Sequence, residues 1–142
     1  IEDGRKEEGM KRLLLLVFAI MLFGCATTRE ATWKTVPEVV MPYEKAWAIV
    51  VNAVGENFDI ETADGQSGYL RTGWKVTKKD LLGTAIQKTR VAARVEERSP
   101  FKIKIKVEKQ EFSPWTNTWN EAGNDEKMER EIMGDLAGRL RR

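Results

Sequence analysis

Few side chains in this sequence can act as nucleophiles or as acid–base catalysts. The chain has one cysteine, Cys25, and no histidine. Histidine is the commonest general base and metal ligand, and without it no nucleophile–base spacing stands out. Asp59 and Glu61 alternate along a predicted strand and so share a face, which permits acid–base cooperation but is more typical of a solvated strand. We therefore expect no enzymatic activity, no cofactor and no metal.

Residues 10–24 have the pattern of a bacterial lipoprotein export signal. Two basic residues precede an apolar run over 13–23, which at eleven residues is shorter than the roughly 20 needed to span a bilayer. The sequence Leu-Phe-Gly-Cys at 22–25 resembles the lipobox, in which the thiol of the cysteine receives a diacylglyceryl group before cleavage. Ordinary signal cleavage near Ala26 and a short uncleaved anchor are the alternatives.

This signal divides the chain into segments with different roles. Residues 1–9 are rich in acids and precede the first methionine, which predicts that the true start is Met10. After the signal, residues 25–31 are the lipidated cysteine and a polar tether, and residues 32–142 are a single domain. The lipid on the cysteine would hold that domain at a membrane. Ala26 follows the cysteine in place of the aspartate that retains lipoproteins in the inner membrane, which favours the outer membrane, facing the periplasm.

The composition narrows the class of partner. The formal net charge is +2 at pH 7, which gives no strong attraction to nucleic acid. A hydrophobic share of 42% is ordinary for a globular domain. The single cysteine rules out a disulfide within one chain. We expect a membrane and another envelope protein as partners, and no nucleic acid.

Hydrophobic periodicity predicts an α+β domain. A stripe at spacings of three and four predicts a helix from Pro42 to about residue 54, and a second stripe predicts a helix capped by Asn124. Alternation predicts strands at 33–40, 58–62, 69–77, 86–97 and 101–107, and a loop at 113–123. The expected fold is a two-layer sandwich with an antiparallel sheet of four to five strands and both helices on one face.

The strand at 101–107 carries the clearest pattern. Its apolar residues, Phe101, Ile103, Ile105 and Val107, alternate with Lys102, Lys104 and Lys106. One face should therefore be buried and the other solvent-exposed. With Arg90 and Arg94 from the neighbouring strand, the lysines would form a basic face for anionic lipid, glycan or an acidic protein. Such a row can also serve only for solubility and edge protection.

Tryptophans are the other candidate binding residues. Trp115 and Trp119 lie in the predicted loop, where they would form a partner-binding hot spot or else close the core beneath the last helix. Trp47 and Trp74 are in register with apolar neighbours and are predicted to be in the core.

Part of the domain is similar to a known family. Tyr43, Trp47, Ala53-Val54, 58–60, Asp64 and 68–72 resemble the repeated domain of the outer-membrane assembly lipoprotein family BamC (NlpB/DapX). That family has two such domains and this chain has one. The resemblance implies a helix-grip type of fold and a structural or adaptor role without catalysis.

Two functions follow as hypotheses. The first is a non-enzymatic envelope lipoprotein that acts as an adaptor or assembly-accessory subunit. The alternative is a small module that binds an apolar or glycan ligand in a groove between the sheet and the C-terminal helix. A filled interface between helix and sheet would favour the adaptor, and a cavity would favour the module.

Overall fold

A computed structural model describes residues 7–14 and 28–142 of the chain. Residues 7–14 are helical (α1). None of the helices in these ranges has the length and apolar character that a membrane crossing requires. Most of the predicted export signal, with Cys25 and the start of the tether, lies outside the described residues.

The domain is α+β, as predicted, with an antiparallel sheet of seven strands where four to five were expected. The helices that follow α1 are α2 (Tyr43–Gly55) and α3 (Glu126–Leu140). The strands are β1 (Lys34–Thr35), β2 (Ile60–Asp64), β3 (Tyr69–Thr72), β4 (Lys75–Lys79), β5 (Ala85–Arg98), β6 (Phe101–Ser113) and β7 (Thr118–Asn124).

Two long strands, β5 and β6, form the centre of the sheet. On the outer side of β5, β3 pairs with residues 92–94 and β4 with residues 85–89, and β2 extends the sheet beyond β3. On the outer side of β6, β1 pairs with residues 104–105 and β7 pairs with residues 108–113. One end of the sheet is therefore β2-β3-β5-β6-β1, and the other end is the four-stranded array β4-β5-β6-β7.

The core lies between one face of this sheet and the two helices. From the sheet it takes Leu70, Val91, Ala93 and the four alternating apolar residues of β6, all at most 1% exposed. From α2 it takes Ala46, Val50, Ala53 and Val54, and from α3 it takes Leu136 and Leu140. Both helices therefore cover the same face, as the single apolar stripe of each predicts.

The alternation predicted for β6 is confirmed on its buried side. On the opposite face the side chains of Lys102, Lys104 and Lys106 are 34%, 25% and 23% exposed. The lysine row is therefore less exposed than the sequence predicts. A glutamate lies beside each of the three ammonium groups, and the Trp33 ring also lies beside those of Lys104 and Lys106.

The predicted strand at 69–77 is interrupted, and this corrects the placement of Trp74. At the break the hydroxyl of buried Thr72 accepts a hydrogen bond from the backbone N–H of Val91 at 2.9 Å and donates one to the carbonyl of Gly73. The side chain thus replaces a backbone ladder bond. After the break Trp74 lies on the face away from the helices, so its prediction as a core residue is wrong.

Residues 113–123 are not a loop. β6 continues to Ser113, residues 114–117 turn the chain, and β7 pairs back along β6. The prediction failed because β7 contributes almost no apolar residue to the core, so its sequence has no strand-like alternation of hydrophobicity. Backbone pairing with β6 determines the structure here.

The N-cap of α3 is Asp125, one residue later than predicted. Its carboxylate accepts a hydrogen bond from the backbone N–H of Met128 at 3.1 Å and another from the Thr89 hydroxyl at 2.9 Å. Asn124 instead bonds to the backbone of Thr32 through its side-chain amide. The cap therefore fixes α3 to β5, and the residue before it fixes the N-terminal segment to β7.

The two faces of β6 should respond differently to truncation. Ile105→Ala is expected to lower the free energy of unfolding by about 2–5 kcal/mol, because Ile105 is fully buried and its removal leaves a cavity. Lys104→Ala should lower it by less than about 1 kcal/mol, because partly exposed ion pairs contribute little. Urea denaturation of both variants measures the difference. Equal losses would show that the strand is wrongly oriented.

Candidate partner-binding face

The sheet face opposite the helices carries three half-buried tryptophans. Trp33 precedes β1, Trp74 lies between β3 and β4, and Trp119 is in β7. None of these rings belongs to the core cluster beneath the helices. We call this surface the open sheet face, formed by Trp33, Tyr69, Trp74, Trp119, Lys88, Arg90, Arg94, Lys102, Lys104, Lys106 and Glu108.

Two cations on the open sheet face each lie between two aromatic rings. The Lys88 ammonium is 5.1 Å from the ring centroid of Trp74 and 4.5 Å from that of Trp119. The Arg94 guanidinium is 5.8 Å from the Trp33 centroid and 5.5 Å from the Tyr69 centroid. Both cations occupy even positions of β5, so they share a face, and their spacing of six positions places them about 20 Å apart along the strand. Contacts of this kind hold a cation over the negative face of a ring.

The remaining cations of this face are paired with glutamates. Arg90 and Lys106 both contact Glu108, and the Lys106 ammonium lies 3.3 Å from its carboxylate. Lys104 is 3.5 Å from Glu96, and Lys102 is 4.0 Å from Glu97. In residues 28–142 neither Lys88 nor Arg94 forms a salt bridge. The positive charge available to a partner is therefore concentrated at the two ring-flanked cations.

The structure brings together most of the candidate residues named from the sequence. The three lysines of β6, both arginines of β5 and Trp119 share the open sheet face. Trp119 packs on Phe112, with ring centroids 5.4 Å apart. Trp115 lies apart from them in the 114–117 turn and is 95% exposed, so it does not close the core beneath α3.

Sequence reasoning missed five members of the face: Trp33, Tyr69, Trp74, Lys88 and Glu108. Lys88 and Glu108 have the same parity as the cations named on β5 and β6, and that signal was available in the sequence. Trp33 lies beside Lys106 only through the pairing of β1 with β6, which the sequence does not give. The position of Trp74 was not available, because it depends on the strand break at Gly73.

Glu108 is the electrostatic centre of the face. Partial burial by itself would raise the pKa of this carboxyl, but the hydrogen bond from Arg90 and the charges of Arg90 and Lys106 outweigh it. The net effect is a pKa below the ordinary value of a glutamate. The carboxylate therefore stays ionised and holds both cations in place at neutral pH.

The interface between α3 and the sheet is filled along most of its length. Leu136 is fully buried and Leu140 is 3% exposed, both within the core cluster. At the N-terminal end of α3 there is a groove of about 620 Å³, and its lining is polar and charged. We call it the polar groove; its lining includes Arg29, Glu30, Lys34, Lys109, Lys127 and Arg130.

The buried carboxylates beside this groove have structural partners. Asp125 caps α3, and Glu129 accepts a hydrogen bond from the side-chain amide of Asn124. In the described part of the chain no group of three or more His, Cys, Asp or Glu side chains is arranged to hold a metal ion. The candidate pair Asp59 and Glu61 is exposed, and Glu61 lies 3.4 Å from Arg71.

Comparison with known proteins gives no assignment. No protein-family model matches the chain, and no curated protein sequence matches it.

The lowered pKa of Glu108 predicts a pH-dependent contribution to stability. A carboxyl with a lower pKa in the folded state stabilises the fold above its unfolded pKa of about 4.3 and loses that contribution as the pH falls through the folded value. Glu108→Gln should therefore be less stable than the wild type at neutral pH, by about 1–2 kcal/mol. The stability difference between the two proteins should shrink as the pH falls from about 4.3 through the lower pKa that Glu108 has in the folded state. Urea titrations across the acid range measure it, and a difference that does not vary with pH would contradict the assignment.

Proposed function

We propose that this chain is a non-enzymatic, lipid-anchored lipoprotein of the bacterial envelope that acts as an adaptor or assembly-accessory subunit. It binds another envelope protein through the open sheet face. The observation that supports this most is the pair Lys88 and Arg94, each without an acidic partner in residues 28–142 and each between two aromatic rings.

The chemistry of this face suits an extended, acidic segment of a protein. Carboxylates of the partner would reach the two cations, and its apolar side chains would lie on the tryptophan rings between them. Tryptophan and arginine are the residues most often found as binding hot spots, and charge complementarity gives specificity and fast association. A flat face about 20 Å long fits a protein segment better than a small ligand, which needs a concave site.

The proposed anchor is the lipid on Cys25, on the strength of the lipobox-like sequence before it. The proposed location is the outer membrane, with the domain facing the periplasm. The resemblance to the repeated domain of the BamC family, with its helix-grip arrangement and adaptor role, supports the proposed adaptor function at the outer membrane.

A ligand-binding module is the second candidate, and the polar groove is the observation that favours it. Its volume of about 620 Å³ would accommodate a small ligand. The charged lining fits a glycan and not an apolar molecule. Because Leu136 and Leu140 fill the remaining interface between α3 and the sheet, we favour the adaptor.

Charge reversal separates the two candidates. Lys88→Glu together with Arg94→Glu should weaken binding to the envelope partner about tenfold or more at low salt, and less at high salt. Both side chains are at the surface, so the fold should remain intact. The measurement is crosslinking pull-down from native membranes, followed by affinity measurement with the captured protein.

Lys127→Glu is the matched control, because Lys127 is exposed and lines the polar groove. The adaptor proposal expects this variant to bind the partner like the wild type. If Lys127→Glu abolishes binding while the double variant retains it, the groove and not the open sheet face is the functional site.

The anchor has its own test. Cys25→Ala should move the chain from the membrane fraction to the soluble fraction, because acyl chains on Cys25 supply the stable membrane attachment. Fractionation of cells that express each form measures this. An alanine variant that remains in the membrane fraction after a high-salt wash, which screens contacts between lysines and headgroups, would refute the lipid anchor.

A further inference from the structure

Two hairpin turns at one end of the sheet display three highly exposed apolar side chains. Leu81 and Leu82, in the turn at 80–84 between β4 and β5, are 106% and 91% exposed. Trp115, in the turn at 114–117 between β6 and β7, is 95% exposed. The pairing of Gln87 with Glu111 brings the start of β5 beside the end of β6, so both turns lie at the same edge.

The leucine turn is built to hold these side chains outward. The Asp80 carboxylate accepts hydrogen bonds from the backbone N–H groups of Leu82 at 2.9 Å and Thr84 at 2.8 Å. The Gly83 N–H donates to the Asp80 carbonyl at 3.1 Å, and Gly83 has φ +82°. This is the pattern of a tight hairpin turn closed by a left-handed residue. An ordered turn that exposes two leucines indicates a surface used in contact.

The strands that carry the turns extend past the core. In β4, in β5 before Thr89, in β6 after Val107 and in β7 up to Ala122, no residue is buried. This stretch therefore gains little from the hydrophobic core, and its role is to place the two turns away from the domain body.

We infer that the two turns contact the surface of a lipid bilayer that contains anionic phospholipid. Leucine side chains enter the apolar boundary of a bilayer, and tryptophan is enriched at the interface. Lys78 and Lys79 directly precede the leucine turn, are exposed, and form no salt bridge within residues 28–142. Their charge complements anionic headgroups.

The course of the N-terminal segment supports the same orientation, and in this respect the inference rests on the proposed lipid anchor. Arg29 pairs with Ala122 in parallel, so at Arg29 the chain has the same direction as β7, whose first residue adjoins the turn at 114–117. From Ala122 to Thr118, where the turn begins, the strand spans about 13 Å. The four residues from Arg29 to Cys25 can reach at most about 14 Å. A lipid on Cys25 can therefore enter the same bilayer surface that the turns contact.

The test is a fluorescent probe that reports lipid contact, attached at position 82 of the full chain. Leu82→Cys and the control Val40→Cys are labelled with an environment-sensitive maleimide dye and reconstituted in vesicles of phosphatidylethanolamine and phosphatidylglycerol. Val40 is 97% exposed and follows Val39, which pairs with Phe101 at the opposite end of β6. Matched exposure at opposite ends makes the two positions directly comparable.

The expected result is an emission shift to shorter wavelength and quenching by headgroup-level spin-labelled lipid at position 82, with neither at position 40. Adding Lys78→Glu and Lys79→Glu to the Leu82→Cys chain should reduce the quenching. Equal signals at 82 and 40 would overturn the inference. So would quenching at 82 that appears only when other membrane proteins are present, because the turns would then bind a protein.

The same labelled chains distinguish a failure of this inference from a failure of the proposed lipid anchor. Cys25 is the chain's only cysteine, so labelling of the wild-type chain would show a free thiol there and refute the anchor. In that case the probe at position 82 is read in the Cys25→Ala chain, where it is the only label. Quenching there would support the bilayer contact without the anchor, and its absence would overturn it.

Discussion

The antiparallel pairing of β5 with β6 is the constraint on which the rest of this structure depends. Eleven residue pairs hold the two strands in register, from Gln87–Glu111 to Arg98–Phe101. Because side chains alternate, this register sends Val91 and Ile105 to the helices and Arg94 and Lys104 to the other face. A one-residue slip would bury the lysines, whose desolvation would cost far more than any packing gained. The core and the open sheet face are two consequences of the same pairing.

Within residues 28–142 no helix covers the open sheet face, and cations with aromatic rings cover it instead. Lysine and arginine stems lie along the sheet while their charged groups meet tryptophan rings or glutamates. Such a surface is polar enough to remain in water and apolar enough to gain from contact with a partner. The same two strands continue beyond the core and carry the hairpin turns. The proposed partner binding and the proposed membrane contact thus fall on separate parts of one sheet.

Periodicity was enough to predict the elements that bury an apolar stripe or face. This holds for α2, for α3, and for β5 and β6, where Phe101 to Val107 alternate without interruption. It failed where other interactions decide the structure. The hydroxyl of Thr72 breaks the strand at Gly73, and β7 forms by backbone pairing with little burial. The lysine row and Trp119 were predicted as site residues from the sequence. The position of Trp74 on the open sheet face could not be predicted, because it depends on the strand break at Gly73. The N-cap of α3 is Asp125 and not the predicted Asn124, because the side chain of Asn124 hydrogen-bonds to the backbone of Thr32.

The central claim is that the open sheet face, and not the polar groove, engages an envelope protein. Its most direct test is site-specific photo-crosslinking in living cells, with an aromatic photoreactive residue in place of Tyr69 on the face or of Lys127 in the groove. The account predicts a discrete protein adduct from position 69 that disappears when Lys88 is changed to glutamate, and none from position 127. An adduct from position 127 alone would contradict it.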